Sequence, residues 1–129
     1  MKYALLLTTM IFMHIVDDYY LQGILAKLKQ RKWWQDNAPD NFYKSDYIPA
    51  LIAHAFSWSF MVTLPILLIT HWQPHWLIML LFAINIVIHS IVDDLKANKK
   101  KINLIIDQTI HIIQIIVVWA VYVLISIAY

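Results

Sequence analysis

Four stretches of this chain run apolar for about 20 residues each, the length a helix needs to cross a hydrocarbon layer, and every one carries histidine or aspartate within it. No other feature constrains the fold as tightly. Window hydropathy sets the stretches at about residues 3–25, 48–70, 76–95 and 102–128. Of the 129 residues, 61% are hydrophobic and 14% charged, against about 25% charged in a soluble domain. So small a chain cannot hide that much apolar surface from water. The expected fold class is all-α: an integral-membrane bundle of four transmembrane helices in a single domain, residues 1–129, with a short interfacial helix in the first loop. Lys2 and the apolar run after it have the look of a secretory signal, but the run continues into His14, Asp17 and Asp18 with no small-residue cleavage site. It is read as a retained first span. Pro65, within the second span, is expected to kink it.

Several chemistries are excluded by what the chain lacks. With no cysteine, there are no thiol nucleophiles and no cysteine-ligated zinc or iron–sulfur centres. The single glycine, Gly23, cannot build the glycine-rich loops that cradle nucleotide phosphates. Every acidic residue is aspartate, so the helical H-E-x-x-H zinc-protease motif is also impossible.

Basic residues orient the bundle, because Lys and Arg are retained on the cytoplasmic side of short loops. The first loop, residues 26–47, holds Lys27, Lys29, Arg31, Lys32 and Lys44; the third holds Lys96, Lys99, Lys100 and Lys101; the second, around His71 and His75, holds none. Both termini are expected outside, in the inner (cytoplasmic) membrane of a bacterium. The net charge of +2 is then a sorting signal and no argument for nucleic acid. Leu25 to Trp34 reads as a basic, Trp-tipped helix lying among the headgroups, and Asp36 to Pro49 as irregular chain.

The spans contain His14, Asp17, Asp18, His54, His89, Asp93, Asp107 and His111. Placing an ionisable group near the bilayer centre costs a few kcal/mol even on lenient scales, so such residues face the bundle interior and mark function. Residues four apart share a helix face: His14, Asp18 and Gln22 form one stripe, Asn85, His89, Asp93 and Lys96 a second, Asp107, His111 and Gln114 a third. At about 1.5 Å per residue His54, His89, Asp107, His111 and Asp18 fall in one layer roughly 8 to 14 Å below the cytoplasmic surface, with His14 somewhat deeper and Asp93 shallower. Imidazoles and carboxylates at that density suit a divalent transition metal, with zinc the expected ion and one or two ions held. The candidate ligands are His14, Asp18, His54, His89, Asp93, Asp107 and His111, with Gln22, Asn85 and Gln114 orienting the imidazoles from behind. Interhelical hydrogen bonds that merely hold register are the bland alternative, but they average only about 0.6 kcal/mol. Asp17 and Asp94, adjacent to better-placed carboxylates, are expected to be bystanders, and His71 and His75, separated by Pro74, interface residues.

The string His14-x-x-x-Asp18-Tyr-x-Leu-Gln22, then His54, His89-x-x-x-Asp93-x-x-Lys96 and Asp107-Gln108-x-x-His111, resembles a family of small bacterial and phage membrane proteins catalogued as a domain of unknown function. That resemblance implies a multi-span inner-membrane protein with these polar positions as its signature, and brings no reaction with it. A metal-dependent hydrolase is the leading expectation, with Asp18, Asp93 or Asp107 as ligand or general base and Lys96 holding an anionic lipid headgroup or phosphoester at the mouth. A cation or proton carrier using the same groups is the first alternative, disfavoured by the apolar outer halves of the spans. A non-catalytic phage or bacterial interaction protein is the second. The expected partners are the lipid bilayer and a lipid or phosphoester substrate; a homodimer would help four short spans seal a site.

Overall fold

The computed structural model describes residues 1–128. It is all-helical, and the sequence alternation of apolar runs with short polar connections explains the order of elements. Helix α1 (Lys2–Val16) continues into a π-helical turn (Asp17–Leu21). Two short helices follow, α2 (Leu25–Leu28) and α3 (Arg31–Asn37), then a 3-10 turn (Asn41–Tyr43) and three long helices: α4 (Tyr47–Ile69), α5 (Trp76–Ala97) and α6 (Leu104–Ala128). Four segments are long and apolar enough to cross a membrane: Lys2–Leu21, Asn41–Ile69, Trp76–Ala97 and Leu104–Ala128.

These four segments pack as a ring in the order α1, α4, α5, α6 and back to α1. The indole of Trp119 donates to the Tyr3 carbonyl at 2.8 Å, tying the start of α1 to the far part of α6, so these two helices run antiparallel. The terminal half of the bundle is filled by Leu6, Met10, Trp58, Val62, Ile66, Ile78, Ile115 and Val118. In lipid such a cluster is held by close packing more than by escape from water, since the tails outside are as apolar as the core. Outward positions such as Leu5, Phe12, Ile105, Val87 and Leu124 are apolar and exposed, as a lipid-facing surface requires. Four hydroxyls on these helices that face outward or lie half-buried fold back on their own backbone: Thr8 on Ala4, Ser90 on Ile86, Thr109 on Ile105 and Ser126 on Tyr122. That satisfies them without water.

Three local expectations are corrected. The first long helix does not stay regular as far as Leu25: its α-register ends at Val16, the π-turn closes with Gln22 N–H on the Asp17 carbonyl at 3.1 Å, and Gly23 reverses the chain at φ +46°, a conformation natural to glycine. The basic segment is not one helix from Leu25 to Trp34. It breaks at Lys29 and Gln30, where Gln30 is extended (φ −97°, ψ 121°), and Asn98 grips both sides of the break, donating to the Lys29 carbonyl at 3.1 Å and accepting from Arg31 N–H at 2.7 Å. Nor is 36–49 irregular throughout. Asp36 and Asn37 complete α3, and α4 already begins at Tyr47, with Pro49 in its first turn, where no intrahelical donor is needed. Helix α4 runs on through Pro65 without a break.

Candidate metal centre

Below the apolar plug, towards the end carrying the first and third connections, polar side chains from all four long segments converge. Their placement follows from helix period. His14 and Asp18 share a face of the first segment, His89 and Asp93 of α5, Asp107 and His111 of α6, each pair four residues apart. The π-turn adds a fifth residue to one helical turn and so brings Asp17 inside as well; such bulges recur at functional sites. His14, Asp17, His54, His89, Asp93, Asp107 and His111 are all buried, and Asp18 is nearly so at 9% exposure.

The closest grouping joins three helices. His54 Nε2 lies 3.2 Å from His89 Nε2, 3.3 Å from Asp18 Oδ1 and 3.4 Å from Asp93 Oδ2. Ligand atoms about 2.0–2.1 Å from a tetrahedral ion are separated from one another by about 3.3 Å. Two edges of the set Asp18, His54, His89 have that spacing, and all its ligand atoms lie within 4.8 Å of one another, as do those of a second set, His89, Asp93, His111. Because the two sets share His89, one imidazole nitrogen cannot serve an ion in each at the same time.

The partners of each imidazole fix which nitrogen is free. Asp17 accepts a hydrogen bond from the Ser57 hydroxyl at 2.6 Å and turns its other oxygen towards His54 Nδ1, 3.7 Å away. Both of those facing atoms are otherwise unpartnered. Gln114 donates to Asn85 Oδ1 at 3.0 Å, which turns its own carbonyl oxygen to His111 Nδ1 at 3.1 Å. His111 Nδ1 then donates, and its Nε2 faces Asp107 Oδ1 at 3.4 Å and Asp93 Oδ1 at 3.7 Å. A ring nitrogen facing two carboxylates is a place for a proton or a cation. The His89 ring stacks against Trp58 (centroids 4.4 Å) and His111 (4.1 Å), and those two rings are themselves 5.3 Å apart, so the three rings form one compact cluster.

Charge gives an independent argument. Four buried carboxylates, Asp17, Asp18, Asp93 and Asp107, face two ammonium groups: Lys29 on Asp93 Oδ2 and Lys96 on Asp107 Oδ2, each at 2.5 Å. With neutral imidazoles, two negative charges are left over inside an apolar bundle, where unpaired charge is very costly. One divalent cation cancels them.

Not every expected group joins the cluster in the same way. His14 accepts from the Trp58 indole on Nδ1 at 2.7 Å and has its Nε2 on Gln108 Oε1 at 3.0 Å; with both nitrogens engaged, it stands outside the two triads. Asp107 lies beside His111 and is also outside them. Asp17, expected to be a bystander, is fully buried behind His54, because the π-turn rotates it inward. Asp94 is peripheral, paired with Lys99 at 2.8 Å. Of the three amides expected behind the imidazoles, Gln114 contacts His111 and Asn85 supports Gln114, whereas Gln22 bonds the Asp18 backbone carbonyl instead. His71 lies in the connecting turn at φ 50°, and His75 accepts from Leu77 N–H at the start of α5. Lys96 is not a free cation but Asp107's partner. Sequence reasoning missed Lys29, Trp58 and Gln108 as members of the site. Only Gln108 carried a signal, its place in the D-Q-x-x-H string.

A cavity of about 220 Å³ reaches the cluster from the connection end, lined by Asp18, Gln22, Lys29, Asp93 and Lys96 among others. Fold and site together define an all-helical membrane protein whose buried His and Asp groups could hold a metal ion. The chain belongs to the DUF3307 family, described as a protein of unknown function, whose profile matches residues 6–129. Comparison with curated proteins and with solved structures finds no match to it.

Proposed function

We propose that this chain is a membrane-embedded, metal-dependent hydrolase acting on a lipid or phosphoester. The observation that carries this reading is the one-sided approach to the cluster. The cavity opens to Asp18 and Asp93 from the connection end, while the other half of the bundle is filled by the Leu6, Met10, Trp58, Val62 and Ile66 packing. A carrier needs polar access on both faces in turn; a hydrolase needs one.

In this account Asp18, His54 and His89 would hold the ion, zinc being the expected one, and catalytic zinc sites use three protein ligands in this way. The bound ion would supply Lewis acidity and bring the pKa of a water ligand down to about 7. Asp93 borders both cavity and cluster and would act as general base, taking a proton from the attacking water as its oxygen bonds to the ester centre and returning that proton to the leaving oxygen as the ester bond breaks. Lys29 and Lys96 line the cavity while paired with Asp93 and Asp107, and the anionic group of the substrate would be held by the ion and by sharing these two ammonium groups with their carboxylates. With the basic connections inside, the cavity faces the cytoplasmic leaflet of the inner membrane and both termini lie outside.

Activity of detergent-purified protein loaded with zinc or manganese, assayed on phosphatidic acid, phosphatidylglycerol and p-nitrophenyl phosphate, tests this. Metal-dependent release of phosphate or alcohol, abolished in His89→Ala, is expected. Metal-loaded protein inert on the whole panel that moves the same ion into liposomes would replace the hydrolase with a carrier.

A further inference from the structure

The 220 Å³ polar cavity does not end at the protein's edge. Two of its lining residues, Tyr19 and Gln108, also line two apolar grooves on the outer surface. One groove, about 520 Å³, runs along α1 past Ile11, Ile15 and Ile112; the other, about 490 Å³, runs along α6 past Ile105, Thr109, Ile112 and Ile113. Both follow the seam between α1 and α6, on faces that a bilayer would cover. Tyr19 and Gln108 thus form a threshold with a charged chamber on one side and a hydrocarbon-facing channel on the other.

Gln108 is wired to the chamber: its amide nitrogen donates to Asp107 Oδ2 at 3.0 Å and lies 3.4 Å from Asp18 Oδ2, while its oxygen meets His14 at 3.0 Å. A group arriving over this threshold therefore reaches the carboxylates directly. The chamber's two ammonium groups, Lys29 and Lys96, are its cationic lining. Each is paired with a carboxylate, Lys29 with Asp93 and Lys96 with Asp107, so an arriving phosphate would share these ammonium groups with the carboxylates and meet the bound divalent ion beside them.

We infer that the substrate is an anionic membrane lipid that enters sideways between α1 and α6, its phosphate-bearing headgroup in the chamber and an acyl chain along the seam. This rests on the hydrolase reading and names its substrate class. A free phosphoester would need only the chamber; the grooves joined to it favour an amphiphile. The same surface supplies a control. A third groove of about 540 Å³, lined by Ile48, Pro49, Ile52, Ala53 and Phe56, is as large and as apolar but shares no lining residue with the chamber.

The test is photolabelling of the full chain in nanodiscs with phosphatidic acid carrying a diazirine on its acyl chain, the labelled residues being mapped by mass spectrometry. Severalfold more label at Ile15, Thr109, Ile112 and Ile113 than at Ile48, Ile52 and Phe56 is expected, falling when a diazirine phosphatidylcholine replaces the acid and when Ile112→Trp fills the seam. Equal labelling of the two surfaces, or equal labelling by the two lipids, would overturn the inference. Because the readout is binding, a hydrolase reading that fails on turnover leaves this result separately legible.

Discussion

The Nε2 atoms of His54 and His89 face each other across α4 and α5 at 3.2 Å, with Asp18 Oδ1 3.3 Å from the first of them. Each of these two separations is the spacing of neighbouring ligand atoms around one ion, and the surplus of two buried carboxylates over ammonium groups supplies the matching charge. The consequences can be measured without knowing the substrate.

Metal removal should cost stability. A ligand present at about 100 times its Kd stabilises by about 2.7 kcal/mol, so chelator treatment is expected to lower the thermal midpoint in detergent, and readdition of zinc to restore it. His54→Ala and His89→Ala should melt at the same temperature with and without chelator. Since imidazole must be neutral to coordinate, the zinc-dependent increment should also shrink as pH falls.

Asp17→Asn tests positioning. Asp17 faces His54 Nδ1 at 3.7 Å and is held by Ser57, the arrangement in which a carboxylate aligns a metal-binding imidazole from behind. Zinc affinity is expected to fall about 10- to 100-fold while the protein stays folded. Unchanged affinity would show that Asp17 serves packing alone.

Lys29→Met leaves Asp93 buried without its ammonium partner. Breaking a buried pair on one side costs about 3–5 kcal/mol, read as a drop in unfolding stability, and Lys29→Met with Asp93→Asn should recover part of it. Lys96→Met should cost less, because the Lys96 side chain is 34% exposed against 11% for Lys29.

Trp58→Phe keeps the apolar bulk between His14 and His89 but deletes the indole donor to His14 Nδ1. A buried acceptor left unsatisfied costs about 1–3 kcal/mol. Denaturation of the variant in detergent measures it, and a loss below that range would mean that His14 finds another donor.

Much of this site was legible in the sequence because helix period and hydropathy are local properties. His89 with Asp93 and Asp107 with His111 declare a shared face by spacing alone, and the histidine-bearing apolar runs declare the four long helices. What escaped depends on departures from regularity or on contacts distant in sequence. Asp17 is turned inward by one extra residue in a π-turn, which no periodicity argument contains. Lys29 reads as one of several loop cations, and only the break at Gln30 and the Asn98 clasp send it to Asp93. Trp58 looks like any apolar position of α4 until its indole is seen to meet a ring 44 residues away.

Elemental analysis of protein purified without chelator most directly tests whether this cluster holds a metal ion. The account predicts a stoichiometric divalent transition metal in the wild type, lost in His54→Ala and in His89→Ala and retained in Asp94→Asn, whose carboxylate lies outside the cluster. Folded wild-type protein free of metal, and unable to take up zinc or manganese when either is supplied, would contradict it.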